Sequence, residues 1–171
     1  SYNGEKKLLE LSDEELDKAL RFAVTIGDEL VPTYTGLLMI GRQEKIQELM
    51  PTAEAAFVMM RGTEVVINES FFLPILSAIE KISDYISARN LSREYEQGMF
   101  RIFVPDFDKR AVREAVVNAF AHRDYTRLGR VLVKMDEDGL SVGNPGGFID
   151  GVTYDNILSV EPHGRNPVLA D

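Results

Sequence analysis

The chain has no cysteine, and no uninterrupted apolar run in it reaches membrane-spanning length. Without cysteine there are no disulfides, thiolate zinc sites or cysteine nucleophiles, which agrees with a cytoplasmic location. An apolar run shorter than about 18 residues gives no reason to expect a membrane span, and no secretory signal pattern opens the chain. An excess of positive charge is also missing, because the net charge is −9. A chain that acidic is a poor non-specific ligand for nucleic acid.

What is present is ample material for a core. The 171 residues are 44% hydrophobic and 27% charged, the balance of a soluble globular protein of one large or two small domains. The first residues are Ser1-Tyr2-Asn3-Gly4 rather than Met, so a fragment is expected. Charge is uneven along the chain. Residues 101–130 carry seven basic groups (Arg101, Lys109, Arg110, Arg113, Arg123, Arg127 and Arg130) against four acids (Asp106, Asp108, Glu114 and Asp124). That excess reads equally as a solvated helix face or as an anion-binding surface.

Local patterns give an element order. Ser12 with Glu15 is a capping box, and a helix is expected from Asp13 to about Ile26, ended by Gly27. Two short helices follow, one ending near Gly41 and one over residues 42–50, closed by Pro51. "AAFVMMRG" and "EVVIN" read as strands joined by a turn at 61–63. An amphipathic helix is expected from Asn68-Glu69-Ser70 to about Ala88, with Leu73, Leu76, Ile79, Ile82 and Ile86 on one stripe. The texture changes after Asn90, where a domain boundary is placed. "SREYEQGMFRIFVP" reads as extended structure broken near Gln97-Gly98. A helix capped by Asp106 or Asp108 then runs to about His122, and residues 130–143 form a hairpin. A glycine-rich loop, Asn144-Pro145-Gly146-Gly147, comes next. Residues 151–160 form a short helix candidate capped by Thr153.

The stretch most open to a chemical reading is "REAVVNAFAHRDY". Glu114, Asn118 and His122 recur at four-residue intervals and share one helix stripe. Asn is a poor mid-helix residue, by roughly 0.5 kcal/mol against Ala. A carboxylate orients or deprotonates water. An amide oxygen suits Mg²⁺, which keeps several waters and draws other ligands from phosphates. Glycines in a loop after a strand let backbone approach a ligand, and the Asn144 amide is equipped to read a purine edge. Each residue also has a plain structural reading. Glu114 pairs with Arg110 or Lys109, His122 caps carbonyls, Arg123 and Asp124 form an ion pair at the helix exit, and Arg165-Asn166-Pro167 caps a helix or reaches a phosphate. A metal site from His122, Asp124 and His163 lacks any established ligand spacing.

The order E-x-x-x-N-A helix, hairpin, glycine turn resembles the start of GHKL ATP-binding domains, the gyrase, Hsp90, histidine kinase and MutL type. "NAFAHRDY", "NPGG" and "RNP" together resemble the divergent GHKL-like domain at the C-terminus of proteins labelled RecG-related helicases or transcriptional regulators. Residues 9–60 more loosely resemble the linker that in those proteins follows a Schlafen-type AlbA DNA-binding domain. The resemblance implies an α+β fold in two parts. Residues 1–90 would be a small α/β linker domain. Residues 91–171 would be the N-terminal part of a GHKL-like domain with helices on one face of a mixed sheet.

It also implies roles: Glu114 as the catalytic, water-orienting acid, Asn118 as the holder of Mg²⁺ and triphosphate, and Asn144 at the adenine-contacting position, with Gly146 and Gly147 as the glycine turn. Read from their own side chains, His122 offers a phosphate or Mg²⁺ contact and Arg165 a phosphate contact. Asn144 stands where the pattern has Asp, Phe148 stands where it has Gly, and the second glycine box is expected beyond Asp171. No P-loop G-x-x-x-x-G-K-[ST] is present, so the helicase label finds no support in the residues.

Two functions follow. One is an ATP- and Mg²⁺-binding module that regulates DNA binding through an upstream domain. The other is a non-catalytic scaffold or homodimerisation module, with partner surface on the helix at 70–88 and the strand at 57–60. A nucleic-acid contact through the basic cluster itself ranks behind both.

Overall fold

The computed structural model describes residues 8, 10–149, 151–156, 159, 165 and 166. Helix α1 (Asp13–Ala19) opens on the expected capping box. The Ser12 backbone N–H donates to the Glu15 carboxylate at 2.9 Å, and the Glu15 N–H donates back to the Ser12 hydroxyl.

The helix does not continue to Ile26. Residues 23–32 form a hairpin instead, β1 (Ala23–Ile26) against β2 (Glu29–Pro32). Val24, Thr25 and Ile26 are β-branched, which disfavours a helix. Gly27 takes φ +63°, so the residue expected to end a helix turns a hairpin. Two short helices follow as expected, α2 (Tyr34–Ile40) and α3 (Gln43–Leu49). Thr33 caps α2 by accepting the Gly36 N–H at 3.0 Å. A 3-10 turn at Pro51–Ala53 leads to the sheet.

Strands β3 (Ala55–Arg61) and β4 (Glu64–Phe71) form the expected antiparallel pair. β4 runs further than its sequence promised. Asn68, Glu69 and Ser70 pair with Val58, Phe57 and Ala56, and do not start a helix. Helix α4 (Ile75–Ser87) begins only after Pro74, which lacks an N–H to donate and sits at the cap. A second hairpin, β5 (Ser92–Gln97) and β6 (Phe100–Pro105), stands as its own two-stranded sheet. Helix α5 (Lys109–Ala121) is capped by Asp108, whose carboxylate accepts from the N–H groups of Arg110 and Ala111, both at 2.9 Å. Strands β7 (Val131–Met135) and β8 (Leu140–Gly143) complete the fold.

The main sheet has the order β4-β3-β7-β8, and β3 and β7 run parallel at its centre. Helices α4 and α5 pack on each other, α4 also against β3, and α5 also against β7 and β8. This is an α+β fold with a helix layer on a mixed sheet. The expected division near residue 90 falls just after α4, yet β3 and β4 before it and β7 and β8 after it share one sheet. One core also crosses that position, with Ile46, Phe57, Ile82, Val116 and Val133 all buried within it. Phe57 stacks on Tyr85 of α4 with ring centroids 4.9 Å apart. Burying each such side chain stabilises the fold by about 1.5–3 kcal/mol.

The partner surface assigned to α4 and β3 is therefore mostly core. Ile82, Ile86 and Phe57 are buried, Met59 and Ile79 pack against them, and Leu76 stands exposed. No helix among the described residues is long and apolar enough to cross a membrane.

Candidate nucleotide-binding face

The three stretches that carry the family resemblance meet at the C-terminal end of α5. Asp124 N–H donates to the Pro145 carbonyl at 2.9 Å, tying the helix exit to the glycine loop that leaves β8. Gly146 sits at φ +147°, a conformation that favours glycine. A Cβ there would lie 3.6 Å from the His122 carbonyl and from Asp124. Arg165 donates to the Gly147 carbonyl at 3.1 Å and to the Asp124 carboxylate at 3.4 Å. Asn166 donates to the carbonyls of Ala121 and Arg123 at 2.9 and 2.8 Å. Ala121 is the last residue of α5 and Arg123 lies just past it, so the Asn166 side chain covers carbonyls at the helix exit. Of the two readings left open for Arg165-Asn166, capping is realised for Asn166. Pro167 and His163 lie outside the described residues.

Asn118 lies about one turn earlier and Glu114 about two, and the Asn118 amide donates to the Glu114 carboxylate at 3.1 Å. Glu114 makes no salt bridge with Lys109 or Arg110. Both Glu114 and Asn118 are exposed. Val116, Ala119 and Phe120 form the buried face of α5, and position 118 points away from it. His122 is the helix C-cap, with its backbone N–H donating to the Asn118 carbonyl at 2.9 Å. About 6 Å of helical rise therefore separates Asn118 from the carbonyl on which Gly146 rests. Asn144 is half-buried at the end of β8, and among the described residues its amide donates to the neighbouring Pro145 carbonyl, at 3.4 Å. Phe148 projects from the loop, 53% exposed.

The expected Arg123–Asp124 ion pair does not form. Asp124 instead meets Arg127 and Arg165, each at 3.4 Å. Its carboxyl is held below the ordinary value of 3.8, first by the Thr126 hydroxyl and next by the Thr126 N–H, with Arg165 and Arg127 adding to the effect. Arg123 turns inward and is fully buried. It donates to the Gly129 carbonyl at 2.7 Å and lies 5.3 Å over the Tyr125 ring. Burial lowers its pKa and raises that of the Tyr125 phenol.

Sequence reasoning missed Gly129. It takes φ +118°, and a Cβ there would come within 2.9 Å of Pro145. The segment after Tyr125 thus abuts the glycine loop from the far side.

No group of three or more His, Cys, Asp or Glu side chains among the described residues is arranged to hold a metal ion. Glu114 and Asn118 therefore suit Mg²⁺ only when it arrives with phosphate ligands of its own. A cavity of about 500 Å³ adjoins the face at Arg165 and Asn166 and extends between α2, α3 and the helix exit, lined also by Tyr34, Leu38, Met50 and Tyr125. It includes none of Glu114, Asn118, Asn144 and Gly146.

The comparisons with known proteins bear on the fold. Residues 1–56 match a family described as a domain of unknown function (DUF8451), a stretch that ends within β3 and before every residue of the candidate face. No curated protein matches the chain. The crystal structure of the DIP2311 protein from Corynebacterium diphtheriae is similar over 95% of this chain, with a TM-score of 0.72 and 26% identity. The chain spans about a third of that protein's length, 32%.

Proposed function

We propose that this chain carries a GHKL-type nucleotide-binding module belonging to a RecG-related transcriptional regulator. The observation that carries the reading is the convergence of "AHRD", "NPGG" and "RN" at one helix end, with Asn118 about one turn and Glu114 about two turns back on the same helix. In this reading Asn118 holds Mg²⁺ through the bound nucleotide, and His122 and Arg165 face its phosphates. Asn144 contacts the base, beside the close-approaching backbone of Gly146 and Gly147. Glu114 orients water if hydrolysis occurs. Nucleotide binding would regulate a DNA-binding domain in the same cytoplasmic protein.

Isothermal titration calorimetry with Mg-ATP tests the reading. Binding is expected for the chain, with loss in Asn118→Ala and a large reduction when EDTA removes Mg²⁺. Asn118 is exposed, so its truncation leaves the fold within about 0.5 kcal/mol of the parent. No heat at millimolar Mg-ATP would refute the proposal.

A second reading, a non-catalytic scaffold or homodimerisation module, is favoured by Phe148 at a glycine position and by the open exposure of Glu114 and Asn118.

A further inference from the structure

The cavity beside Arg165 is a different kind of space from the open face on α5. Its volume of about 500 Å³ falls within the range of about 300–1,000 Å³ usual for small-molecule sites. Leu38, Met50 and Pro51 supply apolar wall. Tyr34 and Leu49 also line it, although they stand 69% and 57% exposed. Large apolar side chains left in water around one hollow favour an apolar body inside it.

The polar lining is largely spent. The Thr52 hydroxyl donates to the Tyr125 carbonyl at 2.7 Å, and the Thr126 hydroxyl to the Asp124 carboxylate at 2.6 Å. The Tyr125 hydroxyl donates to the Phe120 carbonyl at 3.4 Å. The Asn166 amide donates to the carbonyls of Ala121 and Arg123. Arg165 still has donors to give. A guanidinium carries five N–H groups, and Arg165 turns one nitrogen to Asp124 and another to the Gly147 carbonyl. Its Nε is buried with no acceptor among the described residues.

Charge points the same way. The described residues that line the cavity include no Asp or Glu. At the helix exit Arg127 and Arg165 share a single carboxylate, Asp124. Arg123 is buried beside them, and its Nε and Nη1 have no partner among the described residues. Glu54 is already paired with Arg130 at 3.3 Å. Three guanidinium groups against Asp124 leave a local excess of positive charge in a chain whose net charge is −9.

We propose that this cavity binds a small monocarboxylate with a compact apolar body, the body against Tyr34, Leu38 and Met50 and the carboxylate on Arg165. A guanidinium takes a carboxylate through two parallel N–H bonds. A phosphate dianion calls for more donors than the lining has left. The cavity shares Arg165 with the proposed nucleotide face and excludes Glu114, Asn118, Asn144 and Gly146. The inference does not depend on nucleotide binding.

A ¹H–¹⁵N chemical-shift titration of the chain, without nucleotide, tests it with two probes of one shape, 4-phenylbutyrate and the neutral 4-phenylbutyramide. Saturable shifts are expected at Thr35, Leu38, Thr52 and Thr126 with the carboxylate, and binding at least tenfold weaker with the amide. Tyr34→Ala, at an exposed position, is expected to weaken carboxylate binding severalfold with the rest of the spectrum unchanged. Arg165→Gln is expected to abolish the preference for carboxylate over amide. Because Arg165 also braces the glycine loop, the comparison of the two probes on the parent chain decides the matter if that variant is perturbed. No saturable shift up to about 10 mM overturns the proposal. So does equal binding of the two probes, and so do shifts confined to residues outside the cavity.

Discussion

Arg165 and Asp124, 41 residues apart in the chain, meet at 3.4 Å, and the same guanidinium holds the Gly147 carbonyl at 3.1 Å. One side chain thus joins the exit of α5, the glycine loop and the end of the described chain. Much of what makes the candidate face a unit passes through this junction.

The cap on α5 is expected to be worth a measurable amount. Asn166→Ala removes two hydrogen bonds to helix-end carbonyls. At about 0.5–1.5 kcal/mol each, the loss is about 1–3 kcal/mol. For a chain of this size a differential scanning calorimeter should register it as a fall of about 2–12 °C in Tm.

Three glycines should separate cleanly. Gly129→Ala meets Pro145 at 2.9 Å and carries a φ of +118°, while Gly146→Ala meets only ordinary contacts but keeps a φ of +147°. Gly147→Ala meets nothing. Urea titration should rank the losses Gly129 first, then Gly146, with Gly147 within about 0.5 kcal/mol of the parent.

These ranks illustrate what the sequence could and could not disclose. Elements with a local signal were legible: the Ser12–Glu15 capping box, the two extended arms broken near Gly98, the α5 cap narrowed to Asp106 or Asp108, and the β7–β8 hairpin. Two boundaries failed where a local cue had two meanings. Gly27 fits a helix end as well as a hairpin turn, and Asn68-Glu69-Ser70 fits a helix start until pairing with β3 claims it. The parallel β3–β7 pairing joins segments some seventy-five residues apart, so no local pattern disclosed it. For the candidate face, the shared stripe of Glu114 and Asn118 followed from spacing alone. Their exposure did not, because it depends on which side of α5 the sheet covers. Nor was the inward turn of Arg123 legible, since the Gly129 carbonyl that receives it is placed by tertiary structure.

The pH dependence has a defined sign. Because the folded Asp124 carboxyl lies below 3.8, its contribution to stability is complete above the unfolded value and disappears as pH falls through the folded one. Asp124→Asn should therefore lower Tm at neutral pH. It should also flatten the decline of Tm below about pH 4, as followed by circular dichroism across pH 2–7.

Arg123 and Arg127 are near neighbours with opposite expected consequences. Arg123→Ala strips the Gly129 carbonyl of its buried donor and opens space beneath Tyr125, which should cost about 2 kcal/mol or more. Arg127 is 64% exposed and pairs only at the surface, so Arg127→Ala should shift stability by no more than about 0.5 kcal/mol. Chemical denaturation of the two variants distinguishes them.

The most direct test of the proposed nucleotide face is a ¹H–¹⁵N chemical-shift titration of the labelled chain with Mg-ATP. The account predicts perturbations concentrated at Glu114, Asn118, His122, Asn144, Gly146 and Gly147, and their loss in Asn118→Ala. An unchanged spectrum, or shifts gathered around the Tyr34–Met50 cavity and absent from α5 and the glycine loop, would contradict it.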